Sequence, residues 1–63
     1  MSVAKIIKTQ RKEAHLTQRD IGHIIGVTTS TVTRWENGSR SPSLSVFIRI
    51  MELTGADVLV VKR

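Results

Sequence analysis

The segment from Thr28 to Gly38 carries the polar side chains whose types and spacing best suit a chemical role. If the segment is helical, its outward positions are short hydroxyl residues and one arginine: Thr29, Ser30, Thr33 and Arg34. Short hydroxyl side chains let a helix approach base edges closely, and an arginine can donate two parallel hydrogen bonds to guanine. A helix that only faced solvent would favour Glu, Lys, Gln or Ala, because Thr and Ser have low helix propensity. The pattern therefore predicts a face that contacts the bases of duplex DNA.

Two predicted helix starts are suited to phosphate. Gln18 and Arg19 begin one helix, and Thr28 begins the next. Backbone N–H groups at helix starts attract anions, so both starts are candidates for contact with the DNA backbone. For Arg19, plain exposure to solvent explains the residue equally well, since a single surface arginine is usually just solvated.

The residues present do not assemble a catalytic or metal site. The two histidines, His15 and His23, are eight positions apart and the chain has no cysteine, which disfavours a zinc site. The sequence offers no Ser-His-Asp set, no paired catalytic carboxylates and no phosphate-cradling glycine loop. We therefore expect no enzymatic activity, no cofactor and no metal.

Ten Lys and Arg against five Asp and Glu give a net charge of +5 and a pI near 10.9. This excess favours a polyanionic partner, either nucleic acid or anionic lipid. Lipid binding is disfavoured because the basic residues are spread from Lys5 to Arg63 instead of following one helix opposite an apolar face. The apolar runs are too short for a membrane span or a signal-peptide core, so we expect a cytoplasmic protein without a membrane partner.

Sixty-three residues make one domain, 1–63, and turn signals divide it into four helices and a different tail. The predicted helices span about 2–14, 18–25, 28–37 and 43–55. The signals are hydroxyl N-caps and closing glycines, namely Thr17, Thr28, Ser43, Gly26, Gly38 and Gly55. Helical spacing places the core at Ile21, Ile25, Val27, Val32 and Trp35, and predicts an apolar face on the fourth helix made of Leu44, Phe47, Ile48 and Met51.

Residues 16–38, LTQRDIGHIIGVTTSTVTRWENG, resemble the bihelical unit of the Cro/CI-type regulators, the XRE family. The resemblance depends on Leu-Thr-Gln at the start, Ile-Gly at 21–22, the Gly-Val turn at 26–27 and the closing Arg-Trp-Glu-Asn-Gly. It implies a mainly α, lambda-repressor-like four-helix DNA-binding domain with its helix-turn-helix unit at about 17–37. Most members have alanine where Gly22 stands, so we expect this glycine to cost about 0.5–1 kcal/mol of helix stability without changing the geometry.

The resemblance also implies roles for individual residues. Four positions match those that bind phosphates in related phage repressors: Gln18, Thr28, Asn37 and Arg40. Arg11 lies on the apolar stripe of the first helix, and a buried guanidinium needs an acidic partner to offset its desolvation. Related repressors pair an Arg and a Glu at the matching positions. We therefore predict a structural ion pair between Arg11 and Glu36 that holds the third helix against the first.

The tail is β-branched and apolar on both alternating faces, which predicts a short strand at about 57–62. A lone strand has no pairing partner inside a helical chain, so we expect it to pair with its copy in a homodimer. The residues assigned to this interface are Val58, Leu59, Val60 and Val61. In this respect the tail resembles the dimerising strand of HipB-type antitoxins.

These inferences together predict a homodimeric repressor of its own operon that binds a palindromic DNA operator. Two alternatives stay open. In one, the protein is an antitoxin whose main partner is a toxin protein, and DNA binding is secondary. In the other, it is an adaptor domain that no longer binds DNA.

Overall fold

The computed structural model describes residues 2–55, which form four helices joined by short turns. The helices are α1 (Val3–Glu13), α2 (Gln18–Ile25), α3 (Thr29–Asn37) and α4 (Leu44–Leu53). This confirms the mainly α, four-helix part of the predicted fold. The predicted strand at 57–62, with Val58, Leu59, Val60 and Val61, lies outside the described residues. Within residues 2–55, no helix has the length and apolar character needed to cross a bilayer.

Each of these helices begins after a hydroxyl side chain that accepts a backbone N–H: Ser2, Thr17, Thr28 and Ser43. At α2 the arrangement is reciprocal. The Asp20 N–H donates to the Thr17 hydroxyl at 3.0 Å, and the Thr17 N–H donates to the Asp20 carboxylate at 2.8 Å. The hydrogen bonds with Thr17 lower the pKa of the Asp20 carboxyl. Such caps supply partners that the first turn of a helix lacks, at about 0.5–2 kcal/mol each.

The turn between α2 and α3 depends on two glycines. Gly26 adopts a left-handed conformation with φ of 91°, and the N–H groups of Gly26 and Val27 both donate to the Gly22 carbonyl at 2.8 Å. A Cβ added to Gly22 would lie 2.8 Å from the Val27 carbonyl oxygen, closer than real side chains approach a backbone. The sequence predicts only that Gly22 lowers helix stability without changing the geometry. In the structure, the missing side chain has a second role. It permits the close approach of α2 to the turn that leads into α3.

The first helix also ends in a left-handed residue, but here the residue is not glycine. His15 has φ of 61°, and the Leu16 N–H that follows donates to the Arg11 carbonyl at 3.1 Å. A residue with a Cβ costs about 1–2 kcal/mol in this conformation. The left-handed conformation of His15 therefore costs energy, but it allows the Leu16 N–H to cap the end of α1, the helix that carries Arg11.

The core lies where the four helices meet and consists of Ile7, Ile21, Val32, Trp35, Ile50 and Met51. Ile21, Val32 and Trp35 were predicted core residues, and Ile25 and Val27 pack against this cluster from its edge. The prediction for α4 was partly wrong. Leu44 is 73% exposed, whereas Ile50, absent from the predicted face, is fully buried. The reason is that α4 buries its C-terminal half, where Ile50 and Met51 lie.

Replacing Gly22 with alanine tests the close approach of α2 to its turn. Alanine has the higher helix propensity by about 1 kcal/mol, but its Cβ must displace a backbone carbonyl, and overpacking of this kind costs about 1–3 kcal/mol. We expect Gly22→Ala to lower the free energy of unfolding measured by urea titration and circular dichroism. Stabilisation by the amount that helix propensity alone predicts would contradict the close approach.

Candidate nucleic-acid interface

The polar residues predicted to contact bases lie together on α3. Thr29, Ser30, Thr33 and Arg34 are all exposed, and we call this surface the α3 polar face. The opposite side of the same helix is buried through Val32, Trp35 and Glu36. Because α3 packs against both α1 and α2, the direction of the α3 polar face is set by the core beneath it.

The residues predicted to bind phosphates lie at the start of α2, at the two ends of α3 and in the loop after it. Gln18 is half-buried at the start of α2, while Arg19, Thr28, Asn37 and Arg40 are exposed. The Arg40 N–H donates to the Arg34 carbonyl at 3.2 Å, so the loop after α3 folds back on that helix. Asn37 uses its side-chain oxygen internally, accepting from the N–H and hydroxyl of Ser39 at 2.9 and 2.6 Å. The amide nitrogen of Asn37 has no hydrogen-bond partner among residues 2–55 and can donate to a ligand.

The structure brings Arg11 and Glu36 together as a two-pronged ion pair. The Arg11 Nε donates to Glu36 Oε2 at 2.7 Å, and Nη2 donates to Oε1 at 3.1 Å. A third donor, Nη1, reaches the Leu16 carbonyl at 2.8 Å. The side chains are only 11% and 2% exposed, respectively. The pair joins α1 to α3 and extends to the loop before α2.

Two further side chains extend this ion pair, and sequence reasoning missed both links. Gln18 donates from Nε2 to Glu36 Oε1 at 3.1 Å, and Thr33 donates its hydroxyl proton to Gln18 Oε1 at 2.8 Å. We call Arg11, Glu36, Gln18 and Thr33 the Glu36 network. Gln18 and Thr33 each had a DNA-binding role predicted for them separately, and no spacing rule in the sequence shows that side chains fifteen positions apart are bonded.

The surroundings of Glu36 keep its carboxylate charged. Burial by itself raises the pKa of Glu36, but hydrogen bonds from Arg11 and Gln18 and the positive charges of Arg11 and Lys8 outweigh it. The net result is a pKa below the ordinary value for a glutamate. Every buried side-chain nitrogen and oxygen in residues 2–55 has at least one hydrogen-bond partner, so the network leaves no buried side-chain nitrogen or oxygen without a hydrogen bond in this part of the chain.

Residues 7–60 match the family described as helix-turn-helix. The chain is a member of the XRE-type helix-turn-helix family. It is 38% identical over 52 residues to an HTH-type transcriptional regulator of Methanothermobacter thermautotrophicus, covering 82% of this chain and 75% of that protein. It is also 48% identical over 33 residues to one of Haemophilus influenzae, covering 52% of this chain and 14% of that protein. No solved structure matches the chain at a comparable level.

The Haemophilus match thus covers a small part of a much longer protein, whereas the Methanothermobacter match covers most of both chains. The family match contains α2, the glycine turn and α3, together with all four members of the Glu36 network. The resemblance of the tail to HipB-type antitoxins concerns residues outside the described range and stays a prediction.

Thermodynamic coupling between Arg11 and Glu36 is the first test of this helix-turn-helix site. Removing one partner of a buried pair leaves an uncompensated charge and typically costs about 3–5 kcal/mol. We expect Arg11→Met and Glu36→Gln each to destabilise the protein strongly, and the double variant to lose much less than the sum. Urea unfolding in a stabilising osmolyte keeps the weaker variants measurable. Simple addition of the two losses would mean that the pair contributes no coupling.

The pH dependence of stability is the second test. Because the pKa of Glu36 is lowered in the folded state from its ordinary value of 4.5, its charged form stabilises the fold fully at pH values above that ordinary value. That contribution is lost as the pH falls through the folded-state pKa. We expect the difference in unfolding free energy between the parent and Glu36→Gln to be constant near neutral pH and to shrink on acidification. A difference that grew on acidification would contradict the lowered pKa.

Proposed function

We propose that the protein is a sequence-specific DNA-binding transcriptional regulator that places α3 in the major groove. The observation that carries this proposal is the α3 polar face, whose four exposed residues are three with hydroxyl side chains and one arginine. Thr and Ser have low helix propensity, so their presence on an exposed helix is better explained by contact with DNA than by exposure to solvent. The core and the Glu36 network hold α3 in place despite these residues. The activity we propose is binding, with no reaction catalysed.

Positive charge and helix starts support contact with the DNA backbone. The chain carries a net charge of +5, and Arg19 and Arg40 are exposed near the two ends of the bihelical unit. The N-terminus of α3, capped by Thr28, presents backbone N–H groups and a favourable helix dipole to a phosphate. The amide nitrogen of Asn37, which donates to no group in the described part of the chain, adds a neutral donor at the opposite end of the same helix.

The regulatory role we propose is repression of the protein's own operon by a homodimer. Two copies related by a two-fold axis would set their α3 helices about 34 Å apart and bind a palindromic operator. We propose the strand predicted at 57–62 as the dimerising element. The relatives from Methanothermobacter and Haemophilus bear the name transcriptional regulator, which supports a regulatory role in general terms.

Selection of bound duplexes from a random pool tests this function directly. We expect the parent to enrich one sequence class, and Thr29→Ala and Arg34→Ala to relax preference at individual base pairs, each worth about 1–3 kcal/mol of discrimination. Arg40→Ala should instead weaken binding to all duplexes and reduce the salt dependence by about one phosphate contact.

Arg49→Ala is the matched control for charge. Arg49 is exposed on α4, which packs mainly against α1 and α2, and its guanidinium donates to the Ile24 carbonyl of α2 at 3.4 Å. Arg49→Ala removes the same charge as Arg34→Ala. Because Arg49 does not belong to the α3 polar face, we expect this variant to enrich the same sequence class as the parent. Enrichment of no sequence by the parent, or unchanged base preference in Arg34→Ala and Thr29→Ala, would overturn the proposal.

A further inference from the structure

The hydroxyl of Thr33 is already committed inside the protein. A threonine hydroxyl has one proton to donate and two lone pairs with which to accept. The Thr33 proton faces two acceptors, the Gln18 Oε1 at 2.8 Å and the Thr29 carbonyl at 3.0 Å. Thr33 therefore has no proton left for the O6 or N7 acceptors of guanine, although its side chain lies on the α3 polar face.

The amide of Gln18 is held in one orientation by two different partners. Its oxygen faces the hydroxyl donor of Thr33, and its nitrogen faces the carboxylate of Glu36 at 3.1 Å. Rotating the amide by half a turn would place its oxygen against the Glu36 carboxylate, which has no proton to give. One Nε2–H is used by Glu36, and the second is not used by any partner among residues 2–55. This second N–H is the group of Gln18 that a phosphate would engage.

We propose that Thr33 is a positioning residue, which fixes the Gln18 amide so that its second N–H points to a DNA phosphate. This inference rests on the function proposed above and refines it, because it removes Thr33 as a base-contacting donor. Thr33 belongs to the helix that contacts bases, and Gln18 begins the helix before it. The bond between them ties the phosphate contact to the position of α3 in the groove.

The chemistry predicts a distinctive pattern of loss. An interaction with phosphate is made with every sequence alike, so loss of the positioning bond weakens binding to all duplexes by the same factor. The salt dependence should not change, since Gln18 is neutral and releases no counterion. A residue that contacts a base would instead change the preference at one position of the operator.

The test compares Thr33→Val, which keeps the shape and removes the hydroxyl, with Thr33→Ser, which keeps the hydroxyl and removes the methyl group. Thr29→Val is the matched control one turn earlier on the same exposed face. We expect Thr33→Val to bind all selected duplexes about 2- to 10-fold more weakly, the effect of one neutral hydrogen bond. Thr33→Ser should bind like the parent, and Thr29→Val should shift base preference.

Combination with Gln18→Ala distinguishes positioning from a direct contact. If Thr33 acts through Gln18, adding Thr33→Val to Gln18→Ala should bring no further loss of affinity. In the free protein, the side-chain amide resonances of Gln18 in an NMR spectrum should move in Thr33→Val and stay in place in Thr33→Ser. These resonances report the positioning bond without DNA.

Two results would overturn the inference while leaving the regulator function intact. One is a changed base preference in Thr33→Val, and the other is a full additional loss when Thr33→Val is added to Gln18→Ala. Unmoved Gln18 resonances in Thr33→Val would overturn it as well. Failure of the parent to select any duplex is a different outcome, because it defeats the proposed function whatever the resonances show.

Discussion

The carboxylate of Glu36 is the group on which the arrangement of α1, α2 and α3 depends. Its side chain is 2% exposed, and a buried carboxylate costs several kcal/mol unless it is paired and hydrogen-bonded. Arg11 from α1 supplies two bonds, and Gln18 from α2 supplies a third. All three helices must therefore approach one another for the carboxylate to make all its hydrogen bonds, and displacement of α1 or α2 removes one or more of them.

The same pairing reconciles an acidic residue with a site for a polyanion. A carboxylate close to a surface that meets phosphates would repel them if its charge were uncompensated. The guanidinium of Arg11 neutralises it at contact distance, and Lys8 adds positive potential nearby. The same positive charges lower the pKa of Glu36 and offset the repulsion between its carboxylate and the phosphates of the proposed DNA interface. A hydrophobic replacement of the pair would satisfy packing but would not orient Gln18.

Helix boundaries were predictable because their causes are local. Thr17, Thr28 and the glycines at 26 and 38 act within one turn of their own position, so the residue type alone fixes the start or end. The buried side of α4 was less predictable, since which face packs is decided by distant helices, and Ile50 was overlooked for Leu44. The bond between Gln18 and Thr33 was beyond sequence reasoning for the same reason. It depends on the distance between α2 and α3, which the Gly22 crossing sets.

The recognition helix proposed here is poorly suited to be a helix by itself. It has nine residues, and four of its first five are Thr or Ser, which have low helix propensity. Isolated helices of this length are marginal even with better residues. Its stability must then come from the buried Val32 and Trp35 and from the Glu36 network. The polar residues that suit a DNA groove are tolerated on the outer side of α3 because its inner side is buried and hydrogen-bonded. The contacts that stabilise the fold are therefore the same ones that would hold α3 in position for binding DNA.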